Sequence, residues 1–371
     1  MKISNVKVTV WEWKNIPATS YTEHFKSSGS HNAHLALVTI VAEDGLEGHA
    51  FLGSSLGSIG NDTNQIIERY KPLLVGQDVL HRERIWQNLS TWAIGWNAMR
   101  IIGAIDIALW DIGGKAAGIP IHKLMGSYRD SVPAYASSAI LETPQHYVEE
   151  ALKYKELGWS AYKIHPPAEP LLDIKICEMV RQAVGDDYRL MLDACWAYSY
   201  PDALRVGRAA EELDFYWYED PLPYDDIYGY VKLKQVLKIP LAATELPSTG
   251  PKAYAPWIMQ QATDYLRGDP VIKGGLTSCL KTAHTAETFQ MNYEIHHGSN
   301  SVNNIANLHM IMALKNTQMF EVLLPGEVQK HAVLNEVEPD SEGYVYAYNE
   351  PGLGVHVDYD LIEKNKVAEL S

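Results

Sequence analysis

The chain has 371 residues, 31 Lys and Arg against 46 Asp and Glu, a formal charge of −15 at pH 7, and is 46% hydrophobic and 21% charged. That length exceeds one small core and calls for two or three domains, or a large barrel with a smaller partner. The acidic balance argues against a nucleic-acid or anionic-membrane surface, which needs a basic face, and the composition argues against wholesale disorder.

In chain order, Val6, Val8 and Val10 alternate with Lys7 and Thr9 ahead of Trp11-Glu12-Trp13, so residues 6–13 read as a strand and not as a signal peptide. A second strand reads over 34–42 (HLALVTIVA). Between them, residues 17–32 are rich in Ser, Gly and His, and a loop of that length is expected to act as a lid. Residues 66–74, 82–92 and 99–117 carry apolar residues at helical spacing, which makes 1–130 an α+β domain.

From 131 to 332 short apolar strands alternate with amphipathic helices. Strands read over 132–139, 161–165, 189–193, 215–219, 241–245, 265–269, 293–296 and 319–323, with helices such as 144–157, 174–184 and 201–213 between them. Eight strands at βα spacing close into a barrel, an α/β fold. The tail, about 333–371, is strand- and turn-like and is expected to return to the first domain. Cys177, Cys195 and Cys279 cannot all pair within one chain and none stands in a Cys-x-x-Cys spacing, so reduced thiols in a cytoplasmic protein are expected. No apolar run is long enough for a membrane span.

The strands place polar residues at a steady interval. His165, Asp193, Glu219, Glu245, Asp269 and His296 end successive strands, and Glu321 lies within the last; the gaps are 28, 26, 26, 24, 27 and 25 residues. Each gap is one βα unit, so these side chains are expected to meet at the C-terminal mouth of the barrel. Asp193, Glu219 and Glu245 would repel one another unless a cation sat between them, and an all-oxygen set favours a hard divalent ion, most simply Mg²⁺. Lys163 and His165 are two apart on one strand and face the same side. Asp269 and His296 end neighbouring strands, where a carboxylate can orient an imidazole for proton transfer. His297 adjoins, and strand alternation admits only one of the two histidines. Glu321, if protonated, could donate to a developing oxyanion, or else help hold a substrate. A divalent ion on a substrate carboxylate would stabilise the enediolate left by loss of the neighbouring proton.

At these residues the sequence resembles the mandelate racemase subgroup of the enolase superfamily, over nearly its whole length. The stretches GAIDIALWDIGGKAAGIPIHKLMG (103–126), YKIH (162–165), LMLDA (190–194), YEDP (218–221), ATE (243–245), GDP with its following Gly-Gly (268–275), EIHHGSN (294–300) and FEVLLP (320–325) carry the resemblance. It implies a (β/α)₇β modified TIM barrel under an α+β capping domain built from both termini. It also implies one Mg²⁺ on Asp193, Glu219 and Glu245, an Asp269–His296 dyad, Glu321 near the substrate carboxylate, and a homo-oligomer. Two positions depart from the subgroup. Lys163-Ile164-His165 puts His165 where a second lysine is common, with Lys163 left to stabilise the bound carboxylate, and Cys195 stands two residues after Asp193 where Asn is frequent.

The resemblance favours dehydration of a sugar acid to a 2-keto-3-deoxy product. His296 would act as acid, or as both base and acid in a syn elimination, and His165 as base in an anti one. His24, His31, His34, Ser54 and Ser55 are candidates for reading substrate hydroxyls. Epimerisation, cycloisomerisation of a sugar lactone and non-catalytic sugar-acid binding are the alternatives.

Overall fold

The computed structural model describes residues 1–25, 29–92, 99–246, 250–298 and 300–371. Near the N-terminus three antiparallel strands form, β1 (Ile3–Pro17), β2 (Ser30–Ala42) and β3 (Glu47–Leu52). β1 alternates in burial, with Val6, Val8 and Val10 inward, as its period-2 pattern requires. Both strands are longer than their apolar runs. Pro17 pairs with Ser30 and Ile16 with His31, so the polar segment is strand at both ends. Of the expected lid, residues 26–28 lie outside the described residues. β3 was not expected, because its Gly48 and His49 break the apolar alternation; Gly48 is required where β3 crosses the Ala108 carbonyl and a Cβ would collide.

The Met99–Ala117 helix is apolar on nearly every side because it is covered on more than one face. It packs against β3 and against the short Pro270–Lys273 helix. A Cβ at Gly103 would stand 2.7 Å from the Pro270 carbonyl oxygen, so the glycine sets how closely this helix approaches the second layer.

Eight parallel strands follow: β4 (Ser131–Ser137), β5 (Ala161–Ile164), β6 (Arg189–Asp193), β7 (Trp217–Glu219), β8 (Leu241–Ala243), β9 (Tyr265–Gly268), β10 (Asn292–Ile295) and β11 (Phe320–Leu323). Their ladders run β10-β9-β8-β7-β6-β5-β4-β11, a nearly closed barrel. Between β10 and β11 single bonds complete the ring. Tyr293 N–H donates to the Asn316 carbonyl (2.7 Å) and Gln318 N–H to Glu294 (3.0 Å). Inside, Tyr135, Met191, Trp217, Ala242 and Met319 form an apolar plug below the mouth.

The tail divides. β12 (Tyr344–Tyr346) pairs antiparallel with β4 of the barrel, whereas β13 (Lys366–Leu370) pairs with β1. A short helix, Tyr359–Lys364, precedes β13. Among the described residues no helix is long and apolar enough to cross a membrane.

Candidate active site

The strand-end residues converge. Asp193 and Glu219 are the last residues of β6 and β7, and Glu245 lies two past β8. One ligand atom from each falls within 4.8 Å of the others, and all three side chains are buried. The backbone turns sharply here. Cys195 and Trp196 after Asp193, Asp220 after Glu219, and Thr244 before Glu245 all have positive φ (46°, 64°, 39° and 85°), a strained conformation that persists where the surroundings impose it.

Lys163 reaches this cluster from β5. Its Nζ lies 2.9 Å from Asp193 Oδ2, 3.0 Å from Glu219 Oε2 and 2.8 Å from Glu321 Oε1. Burial alone would neutralise such an ammonium, but the three carboxylates outweigh it and hold Lys163 well above the usual lysine range. Asp193 shows the converse. Burial pushes its carboxyl up, yet Lys163 and His165 hold it well below the ordinary range. Burial raises Glu245, outweighing the His296 imidazole 3.2 Å from its Oε1. Asp220, beneath the cluster, is driven far up by burial and then by Glu245, Asp193 and Glu219.

Arg267, on β9, was not singled out from the sequence. Its Nε lies 2.6 Å from Glu219 Oε1 and its Nη2 2.7 Å from Glu321 Oε2, with the side chain fully buried. The available signal was position: Arg267 precedes Asp269 by two residues in a buried strand, so both face one side. With Lys163 and Arg267 on its two oxygens, burial notwithstanding, Glu321 is held well below the usual carboxylate range. The protonated Glu321 that the sequence allowed is therefore corrected to an ionised one; two cations within 2.8 Å make loss of its proton favourable.

Two imidazoles flank the carboxylates. His165 Nδ1 lies 2.7 Å from the Ser138 carbonyl oxygen, which can only accept, so Nδ1 carries the hydrogen and Nε2 faces Asp193 Oδ2 at 3.2 Å. His296 Nδ1 lies 3.1 Å from Asp269 Oδ2 and Nε2 3.2 Å from Glu245 Oε1. Asp269 is steadied in turn by Val271 N–H (2.8 Å) and Asn303 Nδ2 (3.0 Å). Burial would lower His296, but Glu245 and Asp269 outweigh it and lift it to about 9. His297 stands apart from the dyad, and burial lowers it to about 3. Both histidines nonetheless line the cavity. The alternation that would admit only one ends with β10 at Ile295, so the rule no longer applies to residues 296 and 297.

A cavity of about 540 Å³ opens above these groups. Of the five candidate hydroxyl readers, His31 lines it, with its Nε2 held 2.7 Å from the carbonyl oxygen of the buried Ser55. His24, His34, Ser54 and the Ser55 side chain are not on its described wall. His24 is exposed on a 3₁₀ turn, His34 lies within β2, and Ser54 Oγ accepts from Leu56 and Gly57 N–H.

The donors fit a hard dication by charge as well as chemistry. Five buried carboxylates (Asp193, Glu219, Glu245, Asp269 and Glu321) face two permanent cations (Lys163 and Arg267), an excess of three negative charges before the histidines are counted. Two positive charges among Asp193, Glu219 and Glu245 would offset most of it.

A carboxylate cluster at the C-terminal mouth of a parallel barrel, beneath an antiparallel sheet drawn from both termini, defines an enolase-type barrel. Residues 146–361 match the family described as enolase C-terminal domain-like, and residues 10–126 match the mandelate racemase / muconate lactonizing enzyme N-terminal domain. The crystal structure of D-glucarate dehydratase from Agrobacterium tumefaciens, complexed with magnesium, superposes with a TM-score of 0.88 at 34% identity, covering 99% of this chain and 100% of that one. Arabinonate dehydratase of Saccharolobus solfataricus is 27% identical over 92% of this chain and 93% of its own. D-galactarolactone cycloisomerase of Agrobacterium fabrum is 27% identical over the full length of both. The chain belongs to the mandelate racemase group of the enolase superfamily.

Proposed function

We propose that this chain is an acid-sugar dehydratase that removes the proton α to a carboxylate and expels the β-hydroxyl as water. The observation that carries this reading is the pair of imidazoles on opposite flanks of one carboxylate cluster, each with its far nitrogen tied down and Nε2 turned inward. Bound at Asp193, Glu219 and Glu245, a magnesium ion supplies Lewis acidity to the substrate carboxylate.

The two histidines differ in what stands behind them. His165 is backed by a neutral carbonyl that holds the hydrogen on Nδ1, so Nε2 is the atom placed to take the α-proton. His296 is backed by the Asp269 carboxylate, which favours imidazolium, so its Nε2 has a proton to give. Lys163 keeps a positive charge beside the substrate carboxylate as negative charge develops there. Transfer of the α-proton to His165 and delivery of the His296 proton to the departing hydroxyl release one water in an anti elimination. The enol then tautomerises to a 2-keto-3-deoxy acid.

The test is a panel of sugar acids with Mg²⁺ in D₂O, for the wild type and for His296→Asn. The variant is expected to bind Mg²⁺ as the wild type does and to lose dehydration at least ~100-fold, while His165 still exchanges the α-proton for deuterium. Undiminished turnover would refute the dyad's role. An isomerase using the same two imidazoles is the second reading, favoured by the full-length cycloisomerase relative; products formed with no 2-keto acid would establish it.

A further inference from the structure

The two ends of the cavity differ in character. On the barrel side stand the charged groups, among them Lys163, Asp193, Glu245 and Glu321. On the side contributed by the first 56 residues stand Thr19, Tyr21, Thr22, His31 and Leu56. Among the described lining residues the one ammonium is that of Lys163, and its Nζ is already engaged by three carboxylates.

The far side is built for neutral groups. His31 Nε2 faces the Ser55 carbonyl at 2.7 Å and so carries the ring hydrogen, which leaves Nδ1 as an acceptor. An acceptor receives a hydroxyl hydrogen and repels a carboxylate. Tyr21 reaches instead to the barrel end, its ring 5.5 Å from that of His165 and its hydroxyl donating to the Leu324 carbonyl (2.7 Å) and accepting from Gln329 Nε2 (3.0 Å). Leu56, 52% exposed, adds an apolar edge.

We propose that the substrate is a sugar acid with a single carboxylate, bound at the barrel end, and a neutral hydroxylated carbon at the other. This narrows the substrate class of the proposed dehydratase and rests on that reading. A second carboxylate on the far side would surrender its hydration with no cation among the described lining residues to replace it.

The experiment measures kcat/KM for monoacid and diacid pairs of matched stereochemistry, gluconate against glucarate and galactonate against galactarate, with Mg²⁺ and detection of the 2-keto acid. The monoacid of a productive pair is expected to lead by at least about 100-fold. A diacid turned over as well as or better than its monoacid overturns the proposal and leaves the dehydratase reading standing. No 2-keto acid from either class removes both. As a second measurement, Leu56→Arg, which sets a guanidinium at an exposed position on the far side, is expected to shift the ratio towards the diacid by about tenfold; an unchanged ratio would show that the far end is read elsewhere and overturn the proposal.

Discussion

Replacing Arg267 with Met tests whether the buried charge balance is arranged as described. The guanidinium touches Glu219 at 2.6 Å and Glu321 at 2.7 Å, and all three side chains are fully buried. Met has a similar length and no charge, so the substitution leaves two buried carboxylates short of a partner, with only Lys163 between them. Removing one member of a buried pair costs about 3–5 kcal/mol. At roughly 2.1 cal/mol/K per residue, 371 residues unfold with an entropy of about 0.8 kcal/mol/K. The melting temperature should therefore fall by about 4–6 °C in metal-free buffer, followed by circular dichroism. Because the variant has one more uncompensated negative charge, Mg²⁺ should raise its melting temperature by more than it raises that of the wild type. A variant that melts within a degree of wild type, with the same response to Mg²⁺, would refute the view that Arg267 neutralises this cluster.

Gly103→Ala gains about 1 kcal/mol of helix propensity, yet its Cβ would press on the Pro270 and Val271 carbonyl oxygens at 2.7 and 2.9 Å. A net loss of about 1–3 kcal/mol is expected in urea unfolding, and a variant as stable as wild type would contradict the close approach. Asp106 lies buried against Thr277, whose N–H and O–H it accepts at 2.8 and 2.7 Å. Burial nonetheless raises its carboxyl from 3.8 to about 7. The folded state thus holds a proton that the unfolded state releases between pH 4 and 7, and stability falls as pH rises through that window, by about 4 kcal/mol in all. Asp106→Asn should remove this slope; equal slopes in the two proteins would show that the carboxyl titrates normally.

Much of the site is legible because a βα barrel repeats locally. Each strand, loop and helix consumes a nearly constant length of chain, so polar residues 24–28 apart fall on successive strand ends whatever the rest of the fold does. That is why the carboxylate set, Lys163, His165, the Asp269–His296 pair and Glu321 can be placed together before any coordinates are known. The hydroxyl readers could not be placed the same way. They lie on loops and on β2, where strand alternation gives a face but not what that face meets in the folded protein, and of the five only His31 shows its side chain to the cavity.

Spacing and residue type thus determined the barrel, its carboxylate ring and the pair of histidines, because those depend on local periodicity. The tertiary structure decided the charge state of Glu321, the role of Arg267 and which nitrogen of His165 carries a hydrogen. Each of these depends on a partner brought near by closure of the barrel, and electrostatic interactions are set by distance and burial, which the order of residues does not specify.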